Sequence, residues 1–438
     1  MKRWFPNWTT ALLSIVVFVL PWQTRWMYSE ATIAGAHTEF GVMSVYGVEL
    51  LLVVALIAGR LLDRTPWTIA KHHQLPVRLG AIAIIVVTLG TAFADRSIFS
   101  LSMTVHLTLA YALFFAIVLD RVNMKHLLFA FVASLIGPLF LGVVQVLGES
   151  SPANSWLGIA FRSAAQLGDS VFTVNSERVL RAYGSFPHPN IFGGFLGVGL
   201  FAWWAAMASV KRSWTKRKHL AMTSIGTVIL VLGMLLTGSR SAFLGVCIGL
   251  ALLFVVKSIP LTRIARPTVA VLGIVAIAGS LLASFYLTDL ASSIRGGGVN
   301  EERSLTERVT LYQDFVPFII ATNPIVGHGI GSYVLSYSDF KPGENAFDYQ
   351  PIHNGPLLIL AEIGILGLLS VLLWLISVLW VNFSRFPHRD ALYVFGMVNV
   401  VIMISVFDHY LWSSWSGLAL VAFVLGMMVK LGEEKKMN

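Results

Sequence analysis

The chain has 438 residues, of which 56% are hydrophobic and only 12% are charged. Soluble domains usually carry about 25% charged residues, so this composition excludes an ordinary water-facing enzyme. The formal net charge of +9 is spread over segments between apolar runs. It marks topology and gives no basic stripe for nucleic acid.

In chain order the apolar runs cover 9–28, 42–60, 78–95, 100–119, 126–147, 190–210, 220–237, 241–256, 268–288, 355–381, 391–408 and 412–430. They predict an all-α polytopic membrane protein of about 12 transmembrane helices, built as one integral domain over 1–438. Lys2 and Arg3 before an apolar stretch, with Ala34-Gly35-Ala36 beyond it, imitate a signal peptide. That triplet lies well past the apolar run, so the reading is an uncleaved first helix, which Pro21 kinks or ends early. Cys247 is the only cysteine and lies inside an apolar run, which leaves no intrachain disulfide and no cysteine-based metal site.

Charge orients these runs. With the N-terminus in the cytoplasm, Lys2/Arg3, Arg60/Arg64/Lys71/Arg78, Arg121/Lys125, the Lys211–Lys218 cluster, Lys257/Arg263/Arg266, Arg385/Arg389 and Lys430/Lys435/Lys436 fall on one side. Most acids fall on the other, among them Glu30, Glu39, Asp95, Glu149, Asp169, Glu177, Asp339 and Asp348. An even helix count returns the C-terminus to the cytoplasm. Two outer segments are long, 148–189 and 289–354, and long ordered loops tend to be functional. In the second, Ser304-Leu305-Thr306-Glu307 is a capping box. An amphipathic helix is expected over Leu305–Ala321, lying along the membrane surface until Asn323-Pro324 stops it. Gly327-His328-Gly329-Ile330-Gly331 then needs a tight backbone.

Cations on the acidic side are the informative residues, because topology does not explain them: Arg25, Arg96, Arg162, Arg178, Arg181, Arg240, Arg295, Arg303, Arg308 and Lys341. Arg240 stands in a hairpin with almost no loop and reads either as an interface anchor or as an anion clamp, since guanidinium offers paired donors to phosphate. Arg308, early in the surface helix, reads as a clamp or as an ion-pair partner of Glu301, Glu302 or Glu307. Arg181 opens the turn-rich run to His188-Pro189-Asn190, whose bland reading is a structural elbow, and His188 between two prolines reads as structural. His353 ends the long loop where a helix begins. An imidazole at a water–membrane boundary titrates near neutrality and can accept a hydroxyl proton, although a histidine there is often only a cap. Asp408 and His409 are a weaker pair on the same side. Glu362 lies inside a span, where a carboxylate is either functional or a structural partner. No nucleotide-binding glycine loop, His-Glu-x-x-His or metal-spaced carboxylate set is present.

Read in order, Arg181-x-x-Gly-Ser-Phe-x-His188-Pro-Asn190, then Gly238-Ser-Arg240-Ser-Ala, then Glu307-Arg308 before Asn323-Pro324-x-x-Gly-x-Gly-x-Gly, then His353-Asn354 with Glu362-Ile-Gly-Ile-Leu-Gly367, the chain resembles the bacterial O-antigen ligase and polymerase superfamily. The resemblance runs from about 181 to 367, together with the twelve-helix plan. It implies an inner-membrane glycosyltransferase working on the periplasmic face, with no cofactor, metal or nucleotide. It implies as partners an undecaprenyl-diphosphate-linked glycan donor, a lipid A–core or other glycan acceptor, and membrane lipids. The family's paired arginines match Arg240 and Arg308 and its histidine matches His353. Arg181, Asn190 and Asn354 match positions near the site and are expected to contact substrate.

The expected reaction is inverting displacement at the anomeric carbon, with guanidinium groups stabilising the growing diphosphate charge. Ligase and polymerase share these motifs; a moderate outer loop and a single histidine motif favour the ligase. Transport of a lipid-linked glycan or anion is the reading from another class. It needs a polar path through the midplane, and mid-span charge here is limited to Glu49, Glu362 and His106.

Overall fold

The structure, a computed structural model, describes residues 6–174, 177–210, 215–255, 313–315, 317–319, 323–383 and 389–430. Six helices among these are long and apolar enough to cross a membrane: Lys71–Phe93, Ser97–Val118, Met124–Gly148, Pro189–Ala208, Lys216–Thr237 and Gly355–Val381. Shorter apolar helices run over Trp8–Val19, Arg240–Ala251, Leu392–Phe407 and Trp415–Lys430, and Gly47–Asp63 adds another. The expected run at 268–288 lies outside the described residues, as does most of the expected surface helix, Arg308 included. The six spans do not by themselves make the twelve expected.

The first two apolar runs are redrawn. Asn7 caps the first helix, its side chain accepting from Thr10 N at 2.8 Å, and the helix ends at Val19, just before Pro21. An antiparallel hairpin follows, Arg25–Ile33 against Ala36–Tyr46. The fold is therefore helical with minor sheet and is not purely α. The reason is local. Residues 37–46 are rich in aromatic and β-branched side chains, and Ala34-Gly35 sits between paired Ile33 and Ala36 with both φ angles positive, 51° and 79°. That is the two-residue turn that matches strand twist. The triplet that imitates a cleavage site is this turn.

Small residues let the spans approach closely. The Pro189–Ala208 helix is buried along almost its whole length. A Cβ at Gly194 would lie 2.2 Å from the Tyr410 hydroxyl, and one at Gly193 would lie 2.5 Å from Ser239 Cβ. At the end of the bundle away from the hairpin, Thr9 N and Trp8 N donate to Asp63 at 3.0 and 2.9 Å. Arg121 also meets Asp63, at 3.1 Å.

The Gly355–Phe383 helix is broken at Gly364, whose φ is +62°. The Asn323–Gly331 loop fills the break: Ile365 N and Leu366 N donate to Pro324 O and Ile325 O at 3.0 and 3.2 Å, and Gly329 N donates to Glu362 O at 2.7 Å. A Cβ on Gly364 would lie 2.3 Å from Ile325 O, so glycine is required there. Buried Glu362 accepts from Trp412 Nε1 at 2.7 Å and more loosely from Tyr333 N at 3.4 Å. Glu49 and His106, both buried, pair with each other. The mid-span polar groups are thus tied into local joints, with Trp412 and not an arginine holding Glu362 among the described residues.

The 148–189 segment carries two short ladders, Ser150–Ser151 with Arg162–Ser163 and Val171–Val174 with Glu177–Leu180. Buried Gln145 grips its return: Oε1 accepts from Tyr183 N and Gly184 N at 3.0 and 2.8 Å, and Nε2 donates to Gly184 O at 2.8 Å.

Candidate functional site

Four stretches of chain meet at the hairpin-bearing end. The Glu177–Leu180 strand delivers Arg181 into the run to Pro189. His188 caps the Pro189–Ala208 helix, with Nδ1 accepting from Asn190 N at 3.1 Å and proline at the first helical position, where its missing N–H costs nothing. The second stretch is the Thr237-Gly238-Ser239 turn before Arg240. Arg181 joins the two: Nε donates to Thr237 O at 2.7 Å and Nη2 to Asn190 Oδ1 at 2.9 Å, with the guanidinium 5.8 Å from the Phe172 ring.

The third stretch closes the Arg389–Phe407 helix. Asp408 Oδ2 accepts from Asn190 Nδ2 at 2.9 Å, and Oδ1 accepts from His409 N at 2.8 Å. His409 Nδ1 is 2.7 Å from Ser413 Oγ. The fourth is Ile352–Gly355. Asn354 Oδ1 accepts from Leu357 N at 3.0 Å, capping the helix, while Nδ2 donates to Val406 O at 3.2 Å. That double tie brings His353 to Asp408: Nδ1 stands 3.9 Å from Oδ1, and the His353 and His409 rings are 5.3 Å apart. His353 Nδ1 is buried and has no hydrogen-bond partner among the described residues, yet its side chain is 30% exposed.

Electrostatics follow from this packing. Burial would raise Asp408, but the imidazole of His353, then those of His409 and His188, outweigh it and hold the carboxyl well below the usual carboxylate range. Burial pushes His409 down to about 4 against the pull of Asp408. It pushes His188 down to about 3, with Arg181 adding to the effect. Near neutral pH the site therefore holds one ionised carboxylate beside two neutral imidazoles, with the Arg181 guanidinium linked to it through Asn190.

The structure brings Arg181, Asn190, Asn354 and His353 into one network and starts the Arg240 helix three residues after Thr237, with Arg240 exposed. Asn354 is occupied as a cap and Asn190 as a bridge. Arg308 lies outside the described residues. Several other cations of the acid-rich segments are held locally: Arg96 by Asp339 at 2.6 Å, Arg162 by Asp169 at 2.9 Å, Lys341 by Asp314 at 2.7 Å, and Arg178 by the Ala164 carbonyl at 2.7 Å. Asp408 is the residue that sequence reasoning underrated. Its only signal is Asp408-His409 at the edge of a predicted span; nothing local tells that it faces His353.

Residues 225–372 match the family model described as O-antigen ligase. Over that stretch the chain is similar to O-antigen ligases. The matched stretch encloses Arg240, Arg308 and His353. Arg181, Asn190, Asp408 and His409 lie outside it and reach His353 only through the fold. Among curated proteins none matches the chain. Six helices long and apolar enough to cross a membrane, together with the O-antigen ligase match, mark a membrane protein.

Proposed function

We propose that the protein is an O-antigen ligase-type glycosyltransferase that moves a glycan from an undecaprenyl-diphosphate carrier to a hydroxyl of lipid A–core. The observation that carries this reading is the O-antigen ligase match over residues 225–372, because it spans both arginines and the histidine on which the chemistry depends. The acid-rich, long-looped end supports a periplasmic site in the bacterial inner membrane, with both termini cytoplasmic.

In this reading Arg240 and Arg308 bind the diphosphate, whose negative charge grows as the glycosidic bond breaks, so the guanidinium groups act most strongly in the transition state. His353 is the general base. Its Nδ1 faces Asp408, which leaves Nε2 to take the acceptor hydroxyl's proton as that oxygen attacks the anomeric carbon. Asp408 favours the tautomer with the proton on Nδ1 and steadies the imidazolium that forms. The 3.9 Å separation closes on substrate binding, as catalytic hydrogen bonds that are long in the free enzyme commonly do. Direct displacement inverts the anomeric centre and calls for no metal.

Purified protein mixed with carrier-linked glycan and lipid A–core in chelator tests this. Glycosylated lipid A–core from wild type, lost in His353→Ala and Arg240→Ala, is the expected result. Longer carrier-linked chains without that product would assign the polymerase reaction of the same superfamily. No product of either kind would sink the transferase reading.

A further inference from the structure

His353, Asp408 and His409 converge in a way that the proposed reaction does not fully use. Each offers one ligand atom, and the three atoms lie within 4.8 Å of one another. Asp408 Oδ1 stands 3.9 Å from His353 Nδ1 and 3.9 Å from His409 Nε2, too far for hydrogen bonds and symmetric about one carboxylate oxygen. A tetrahedral zinc with bonds of about 2.0–2.2 Å puts its ligand atoms roughly 3.4 Å apart, so the two 3.9 Å separations need to shorten by about half an ångström.

The surroundings are those of ligands held for coordination. His409 is oriented from behind by Ser413 Oγ on Nδ1 at 2.7 Å, which leaves Nε2 to face Asp408. The second Asp408 oxygen is held by Asn190 Nδ2 at 2.9 Å. Such outer contacts fix the ring and the carboxylate of a metal ligand. His353 Nδ1 is a buried nitrogen without a hydrogen-bond partner among the described residues. His188 stays out of the set, because Asn190 N and Ser170 Oγ occupy its two nitrogens at 3.1 and 3.0 Å.

We propose that His353, Asp408 and His409 bind a borderline transition-metal cation, Zn²⁺ above all, and that this binding reversibly switches the site off. Two imidazoles and one carboxylate select zinc-like cations over Mg²⁺ or Ca²⁺, which prefer all-oxygen sites. The inhibition rests on the transferase reading above. A neutral imidazole carries one proton. When Nδ1 gives its lone pair to the cation, that proton sits on Nε2, and Nε2 no longer has a lone pair to accept the acceptor's proton. The cation also neutralises Asp408, which otherwise steadies the imidazolium.

The test uses the full-length protein in detergent, with Zn²⁺ or Co²⁺ alone as the probe. Expected are one cation per chain beyond the His409→Ala level, a visible Co²⁺ spectrum of tetrahedral intensity, and a loss of Zn²⁺ affinity on the order of 100-fold in His409→Ala. Ser413→Ala should lose roughly 10-fold, and His37→Ala, in the hairpin, should match wild type. In parallel, transfer by wild type is compared in Zn²⁺ and in chelator, with inhibition reversed by chelator and the inhibitory concentration raised in Ser413→Ala. Equal cation binding by wild type and His409→Ala overturns the site. Binding without inhibition overturns the switch. No transfer even in chelator, with the Co²⁺ spectrum present, overturns the transferase reading and leaves the cation site standing.

Discussion

Two aspartate–histidine pairs sit at the same end of this molecule, and they differ in what surrounds them. Asp95 and His328 are closed: Nδ1 is 2.6 Å from Oδ2, Ser336 Oγ adds a second hydrogen bond at 3.2 Å, and the Phe318 ring stacks on the imidazole with centroids 4.6 Å apart. Asp408 and His353 are open: 3.9 Å apart, with an unsatisfied Nδ1 and a partly exposed ring. A closed pair under an aromatic cover joins segments, here Phe318, the glycine-rich loop and the start of the Ser97–Val118 helix, and its remaining ring nitrogen, His328 Nε2, is buried without a hydrogen-bond partner among the described residues. The open pair keeps its ring partly exposed, where a reactant can reach it, whereas the His328 ring is buried. The same two residue types therefore serve as joint or as reagent according to distance and cover.

The largest expected effect is on the open pair. His353→Ala should lower transfer by 10²–10⁴-fold, the usual worth of a general base, with the folded yield and melting temperature in detergent held at wild-type values; retained transfer would show that the open pair is also structural. Asp408→Asn keeps the shape and the hydrogen bond from Asn190 in reach but removes the charge. It should lower kcat by roughly 10- to 100-fold with little change in KM, and a pure KM effect would reassign Asp408 to substrate binding.

The closed pair should respond in the opposite currency. His328→Ala removes a buried hydrogen-bonded ring and should cost about 1–3 kcal/mol of stability, read as a lower melting temperature, while transfer falls far less than in His353→Ala. A loss of transfer equal to that of His353→Ala would break the distinction between the pairs. The smallest effect concerns pH. Hydrogen bonding from Lys341 outweighs partial burial, and with Tyr337 it lowers Asp314 from its ordinary 3.8. A depressed carboxylate contributes stability that is complete above its unfolded value and fades as pH falls through the folded one. Proteolysis near residues 313–319 should therefore rise only below about pH 4, and Asp314→Asn should show the raised cleavage at every pH.

How much of this was legible in the sequence varies residue by residue. Several of the spans were readable because hydropathy acts over whole runs: helices at 97–118, 189–208 and 216–237 stand close to where the apolar runs put them. The hairpin at 25–46 was missed because its hydrophobicity merged with the flanking runs and hid the alternation and the Ala34-Gly35 turn. Arg181, Asn190 and His353 were found through ordered motifs, and the fold joins them. For Glu362 the sequence offers chemistry or a structural partner without naming one, and the Trp412 contact that the fold supplies joins residues 50 positions apart.

By itself the sequence determined that this chain is a membrane protein with glycine-dependent loops and cations on its acidic side, because chain-local properties such as hydropathy, charge and φ preference act without long-range contacts. It also marked the O-antigen ligase motifs. Only the tertiary structure decided that Asp408 meets His353, that His409 turns toward the same oxygen, and that Asp95 closes on His328. Those outcomes depend on which helix ends pack together, and packing between distant segments is set by shape complementarity that no single stretch of residues contains.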